Sequence, residues 1–285
     1  MIVLTDGGST KCDWVLLDSK ANIHLKTTTQ GLNPSLLSVI ELKQIIQSNS
    51  ELISMASLVK QVRFYGAGCG TLQHSKKIEE VLLHFYPDAS ITVYEDTLAA
   101  VRSVTVKPAV VCILGTGSNS VFFDGTKVYQ PFQSLGYILM DDASGNYFGK
   151  KLLRDYFFKI MPEELRKSFK NTYNLSPDYL KENLYKKQYP NAYLASFAPF
   201  LFSQPDREGY FYNVLTAGFS SFIKNYVLCF PNAQQVPVHF VGSIAFAAKD
   251  ILAECLKNHN LQIGKIVKRP IEGLISHYQN QIINT

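Results

Sequence analysis

The sequence predicts an α/β fold whose basic unit is built twice. Two apolar runs, Ile2-Val3-Leu4 and Trp14-Val15-Leu16-Leu17, bracket the polar stretch Asp6-Gly7-Gly8-Ser9-Thr10-Lys11. A second pair, Ala109 to Leu114 and Val121-Phe122-Phe123, brackets Gly115-Thr116-Gly117-Ser118-Asn119-Ser120. Segments with apolar residues at helical spacing follow each pair, so strands and helices interleave rather than segregate. Lys107-Pro108-Ala109 is the natural joint, which places an N-terminal domain at 1–107 and a C-terminal domain at 108–285, with the last helix free to pack back on the first domain.

In chain order, the opening runs have the length and composition of buried strands, and the glycines between them read as a hairpin turn. Ile23 to Thr29 supplies a third strand, ended by Gln30-Gly31-Leu32-Asn33-Pro34. Leu36, Leu37, Ile40, Leu42, Ile45 and Ile46 recur at helical spacing between Ser35 and Lys60. Val62 to Tyr65 is a strand closed by Gly66-Ala67-Gly68-Cys69-Gly70, Ser75 to Tyr86 a helix, and Ile91 to Tyr94 a strand. Glu95-Asp96-Thr97 then opens a helix reaching Val104. After the second hairpin, which turns at Asp124-Gly125, Gly149 to Lys187 is mostly helical with breaks at Pro162 and Pro177. Ala195 to Phe230 is further helix, interrupted around Gln204-Pro205-Asp206. Val236 to Val241 is a strand leading into Gly242-Ser243-Ile244-Ala245, followed by helices over 246–257 and from Pro270 to about Tyr278.

The 285 residues are 46% apolar and 18% charged, an ordinary globular composition. The net charge of +5 arises between Lys150 and Lys187, where ten Lys or Arg meet five Asp or Glu. Apolar residues dilute those charges, which points to a solvated helical face and away from nucleic acid. Five scattered cysteines, Cys12, Cys69, Cys112, Cys229 and Cys255, lack metal-ligand spacing and suggest reduced thiols. No apolar run approaches the roughly 20 residues of a membrane span, and the early Asp6 is unlike a secretory signal. A soluble, cytoplasmic protein without membrane or nucleic-acid partners is expected.

The first turn has two readings. As a plain hairpin, its Ser, Thr and Lys are solvated decoration. As a cradle, exposed N–H groups, two hydroxyls and an ammonium suit phosphate oxygens, and Asp6 suits a hydrated Mg²⁺. The second loop favours the cradle. Together the motifs resemble the superfamily of sugar kinases, heat-shock ATPases and actin, and within it the N-acetylglucosamine kinases of the BadF/BadG/BcrA/BcrD ATPase family. Asp6–Lys11 matches the first phosphate loop and Leu114–Asn119 the second. Glu95-Asp96 with the small residues Thr97, Ala99 and Ala100 matches the helix bearing the catalytic aspartate. Phe240–Ala245 matches the adenosine loop, with Ser243 where a glycine is usual.

The resemblance implies two actin-like (ribonuclease H-like) domains, each with a mixed five-stranded sheet flanked by helices, facing each other across a nucleotide cleft. It implies ATP and Mg²⁺ as cofactors and an amino sugar as acceptor, phosphorylated on its 6-hydroxyl, with N-acetylglucosamine the first choice. By the same resemblance Asp96 is the base, and Asp6 holds the metal. Gly7, Gly8, Ser9, Thr10, Lys11, Gly115, Thr116, Gly117, Ser118, Gly242 and Ser243 bind ATP. Asn33, Asp96, Asn119, Gly136 and Asp141 bind the sugar. Leu135–Gly145 resembles a tryptophan-glycine segment ending in Gly-Asp-Glu-Gly-Ser. Here Leu135 replaces the tryptophan, Met140 and Ala143 replace glycines, and Asp142 replaces the glutamate, departures that bear on the sugar more than on the kinase chemistry. Glu95 is a metal or structural carboxylate. Structural readings stand beside these: Asp96 as a helix cap, Gly242 as a strand-to-helix turn, Asn33 and Asp141 as exposed loop polars. An ATP-hydrolysing switch acting on a protein partner is the alternative function, and the apolar helices of the second half could serve a homodimer.

Overall fold

The computed structural model describes residues 1–203 and 209–283. The expected break at Gln204-Pro205-Asp206 lies outside them. The chain divides into two compact units, one formed by Met1–Val106 with the segment beginning at Arg269, the other by Lys107–Lys268.

The first unit opens with β1 (Ile2–Gly7), β2 (Lys11–Leu17) and β3 (Ile23–Gln30) as an antiparallel meander. Helix α1 (Val39–Gln47) starts later than its periodicity suggests, because Ser38 and Glu41 form a reciprocal capping box. The short helix α2 (Ser50–Ser54) leads to β4 (Gln61–Gly66), α3 (Leu72–Phe85), β5 (Ser90–Glu95) and α4 (Asp96–Val104). Sheet order is β3-β2-β1-β4-β5, with β4 and β5 parallel to β1. Leu4, Val15, Leu17 and Tyr65 form one apolar face, covered by Ala99 of α4 and by Ile271, Leu274 and Tyr278 of the terminal helix, Pro270–Ile283. That helix thus completes the core of the first unit. Its approach to α4 requires a glycine, since a Cβ on Gly273 would fall 2.2 Å from the Ser103 carbonyl oxygen.

The second unit repeats the pattern. Strands β6 (Ala109–Leu114), β7 (Ser118–Phe123) and β8 (Val128–Tyr129) form the meander. A helical layer follows: α5 (Gly145–Phe157), α6 (Glu163–Thr172), α7 (Pro177–Tyr185), α8 (Pro190–Ala195) and α9 (Tyr210–Phe222). Strand β9 (Val238–Val241), helices α10 (Ser243–Ala247) and α11 (Lys249–Asn258), and β10 (Ile263–Val267) close it. Sheet order is β10-β9-β6-β7-β8, the same connectivity as the first sheet. Phe148, Phe169, Phe197, Phe211, Phe219 and Phe240 are buried in its core. Strands β8 and β10 do not stand out in the sequence. The first is two residues long, and the second is half exposed and carries Gly264, where a Cβ would lie 2.3 Å from Nδ1 of His239. Among the described residues no helix is long and apolar enough to cross a membrane.

Candidate active site

Each unit carries a polar constellation at its hairpin turn, and each can be built from its own residues. In the first unit the turn leaves β1 at Gly7 and returns at Lys11, with the Gly8 N–H donating to the Lys11 carbonyl at 2.8 Å. The loop after β3 lies directly against it. A Cβ on Gly31 would sit 2.4 Å from the Ser9 carbonyl, so only glycine admits this approach. The close contact carries Asn33 to the turn: it is buried, and its amide nitrogen donates to Ser9 Oγ at 3.1 Å. Its amide oxygen accepts from the Ser35 N–H and hydroxyl, so Asn33 is fixed rather than an exposed loop residue.

The loop after β4 brackets the same region. Gly68 has φ +79°, and a Cβ there would fall 2.1 Å from Asn33 Oδ1. A Cβ on Gly70 would fall 2.0 Å from Glu95 Oε1. Glu95 ends β5 and accepts from the Thr97 hydroxyl, and Asp96 begins α4. The register across β1, β4 and β5 places Asp6 beside Tyr65 and Gly66 beside Glu95. Asn33, Glu95, Asp96 and the first turn are thereby collected in one unit, although they are far apart in sequence.

The carboxylates are strongly perturbed. Burial, then the neighbouring Glu95, pushes the Asp96 carboxyl from its ordinary 3.8 up to about 6, against its own and Thr97's backbone N–H groups. Burial, Asp13 and Asp96 push Asp6 to about 7, with Lys11 opposing them. At a pKa of about 6 the Asp96 carboxyl is mostly deprotonated at neutral pH yet retains appreciable proton affinity. Asp13 is absent from the sequence-derived site. It lies directly opposite Asp6 in the β1–β2 ladder and receives an ion pair from Lys11 at 2.6 Å. The available signal was its place on a strand whose neighbours Cys12 and Trp14 are buried. Asp6 and Asp13 offer carboxylate oxygens to a divalent cation that keeps most of its waters; among the described residues no cluster of three or more His, Cys, Asp or Glu could enclose one.

In the second unit the turn between β6 and β7 is closed by Gly115 N–H donating to the Gly117 carbonyl at 3.0 Å. Asp141, with φ +69°, clamps it from below. Its Oδ1 accepts from the Ser118 N–H at 3.2 Å and its Oδ2 from Asn146 Nδ2 at 2.8 Å, while the Tyr226 hydroxyl accepts the Asp141 N–H at 3.0 Å. Burial raises the Asp141 carboxyl, opposed by those hydrogen bonds. Asn146, which the sequence reading did not single out, also donates to the Thr116 carbonyl at 2.7 Å, and Gly145 N–H donates to the Gly115 carbonyl at 2.8 Å. The start of α5 therefore shapes the turn. Gly242 has φ +127°, and a Cβ there would lie 2.2 Å from the Leu114 carbonyl oxygen, so the loop entering α10 at Ser243 rests on the start of the β6–β7 turn. Asn119 alternates away from Ser118 on β7, and its Oδ1 accepts from the Ser120 N–H and from Gln130. Gly136, with φ +77°, turns a loop that exposes Leu135, Ile138 and Leu139 at 59%, 71% and 73%. Asp142 is engaged by Ser221 and Asn225.

Solved structures share this architecture. A candidate N-acetylglucosamine kinase from Porphyromonas gingivalis is 34% identical, with 98% of this chain and 99% of that one aligned and a TM-score of 0.90. A candidate N-acetylglucosamine kinase from Chromobacterium violaceum aligns over 97% and 98% at 15% identity and a TM-score of 0.72. A ROK-family glucokinase from Streptomyces griseus, solved with glucose and AMPPNP, aligns over 97% of each chain at 11% identity and a TM-score of 0.62. The last two likenesses bear on fold alone. No protein-family model matches the chain, and no curated protein does.

Proposed function

The chain belongs to the N-acetylglucosamine kinase-like family of ATP-dependent sugar kinases, with two actin-like α/β domains, and we propose that it phosphorylates the 6-hydroxyl of an amino sugar, N-acetylglucosamine first among them. The observation that carries this reading is the Asp96 carboxylate, held at the start of α4 with its pKa near 6 and in the same unit as Asn33 and the first phosphate turn. Asp96 takes the proton of the 6-hydroxyl as that oxygen attacks the γ-phosphorus. The bond to the β–γ bridging oxygen breaks, and ADP leaves. Gly7, Gly8, Ser9, Thr10 and Lys11, with Gly115, Thr116, Gly117 and Ser118, present N–H groups, hydroxyls and an ammonium to the phosphates. Gly242 and Ser243 receive the adenosine.

Asp6 would hold Mg²⁺ through its half-buried carboxylate, and the ion would supply positive charge beside the phosphates. Asn33 and Asp141, with Asn119 and Gly136, contact the sugar in this reading. Each Asp141 oxygen accepts one protein hydrogen bond, which leaves it lone pairs for a hydroxyl. The fixed Asp141 also links sugar contact to the shape of the second turn. A cytoplasmic location and small-molecule partners, sugar and nucleotide, belong to the same proposal.

The test is ADP release measured against N-acetylglucosamine, glucosamine, N-acetylmannosamine, N-acetylmuramic acid and glucose, with a blank lacking sugar. Stimulation by one amino sugar is the expected result. Turnover that ignores every sugar would overturn the reading in favour of an ATP-driven switch.

A further inference from the structure

Asp6 and Asp13 face each other across the first two strands, and this pairing is physically expensive. Directly opposed residues of an antiparallel pair bring their Cβ atoms to about 5 Å, and like charges there destabilise the ladder. Of the charged groups acting on Asp6, Asp13 and Asp96 are anions and Lys11 is a cation. Lys11, however, is drawn to Asp13: the two are i and i+2 on β2, share one face, and meet at 2.6 Å. The Asp13 side chain is only 15% exposed, against 43% for Lys11, so the carboxylate is the fixed partner and the ammonium the movable one. A fold selected for stability alone would gain from a neutral residue at position 13.

We propose that Asp13 is a positioning residue that holds Lys11 between turnovers and, when nucleotide arrives, releases it to the phosphates and joins Asp6 in balancing the divalent cation. The inference rests on the kinase reading above. Its content is an exchange of charge partners. Without nucleotide, Lys11 neutralises Asp13. With nucleotide, the phosphates attract Lys11, and the vacated Asp13 carboxylate supplies negative charge for the cation that accompanies them. The exchange makes tight nucleotide binding conditional on the cation, because the Asp13 charge repels bare phosphate and is rewarded only when a divalent ion is present.

The experiment is calorimetric titration of the full chain with AMPPNP, once in excess Mg²⁺ and once in EDTA, for wild type, Asp13→Asn and Asp13→Glu. For wild type, Mg²⁺ is expected to tighten binding. In Asp13→Asn the affinity in EDTA should rise severalfold, and the enhancement by Mg²⁺ should shrink about tenfold, the scale of one charge-assisted hydrogen bond. Asp13→Glu should recover most of the enhancement. An enhancement unchanged in Asp13→Asn would overturn the proposal. So would equal weakening in both buffers with a lowered melting temperature, the mark of a structural role. Absence of AMPPNP binding by wild type in either buffer would instead defeat the kinase reading itself, so the two failures are distinguishable.

Discussion

A desolvated carboxyl whose pKa is raised should weaken the fold that contains it, and Asp96→Asn measures this. The Asp96 carboxyl titrates at about 6 in the folded chain against 3.8 ordinarily. Between those values the folded state binds more protons than the unfolded state, so stability falls as pH rises through that window. Below about pH 3.8 there is no penalty, and above about 6 it is complete. Two pKa units correspond to about 3 kcal/mol, an upper bound because the pocket relaxes around an amide. Replacing the carboxyl with the near-isosteric amide removes the penalty. Asp6 gains too, since Asp96 is one of the charges raising it. The expected result at pH 8 is a variant about 1–3 kcal/mol more stable than wild type, with the advantage vanishing near pH 4, while turnover falls by roughly 10²–10⁴ and nucleotide binding persists. Denaturant or thermal unfolding at pH 4, 6 and 8 reads the stability directly. A variant less stable than wild type at pH 8 would refute the reasoning and make Asp96 a structural cap on α4.

Three further outcomes follow from the same geometry. The turnover profile kcat/KM should fall tenfold per pH unit below about pH 6 as Asp96 takes up a proton, and Glu95→Gln should move that limb to lower pH, since Glu95 is the second cause of the raised value. Gly242→Ala, whose Cβ would stand 2.2 Å from the Leu114 carbonyl oxygen with φ at +127°, should cost about 2–4 kcal/mol in unfolding experiments and weaken AMPPNP binding at least about tenfold in calorimetry. Tyr278→Phe removes a hydroxyl bonded to the Tyr65 hydroxyl at 2.6 Å and to Arg102 at 3.1 Å, so it should cost about 1–2 kcal/mol of stability by thermal unfolding.

The sequence exposed those parts of the fold whose causes are local. Apolar runs bracketing Asp6–Lys11 and Gly115–Ser120 became the two antiparallel hairpins because a short buried strand and a glycine turn are specified by adjacent residues. The turns after β4 and β9 were legible as glycine loops, but which glycines take positive φ was not: Gly68 and Gly242 do, close against Asn33 and the Leu114 carbonyl, whereas Gly7 and Gly8 of the first turn do not. Helix α1 was placed with a blurred start, because its true beginning depends on a capping box between Ser38 and Glu41 that overrides apolar periodicity. Strand β10 was missed because its identity comes from pairing with β9, across a bulge, rather than from its own composition.

What stayed hidden depends on register between distant strands. Asp13 reads as an ordinary polar residue on a strand until the ladder sets it against Asp6, and only then does the ion pair with Lys11 gain a chemical meaning. Asn146 likewise reads as a helix residue until α5 brings its amide between Asp141 and the Thr116 carbonyl. In both cases a motif residue is controlled by a partner outside the motif. The two partners differ in kind. Asn146 adds hydrogen bonds, which rigidify a turn, whereas Asp13 adds a charge opposite another charge, which a rigid turn does not need. That difference separates the two: a neutral bond that shapes a loop is explained by folding, whereas a like-charge pair beside the first turn costs stability and is offset in this structure by Lys11, the cation whose exchange for a divalent ion the calorimetric titration tests.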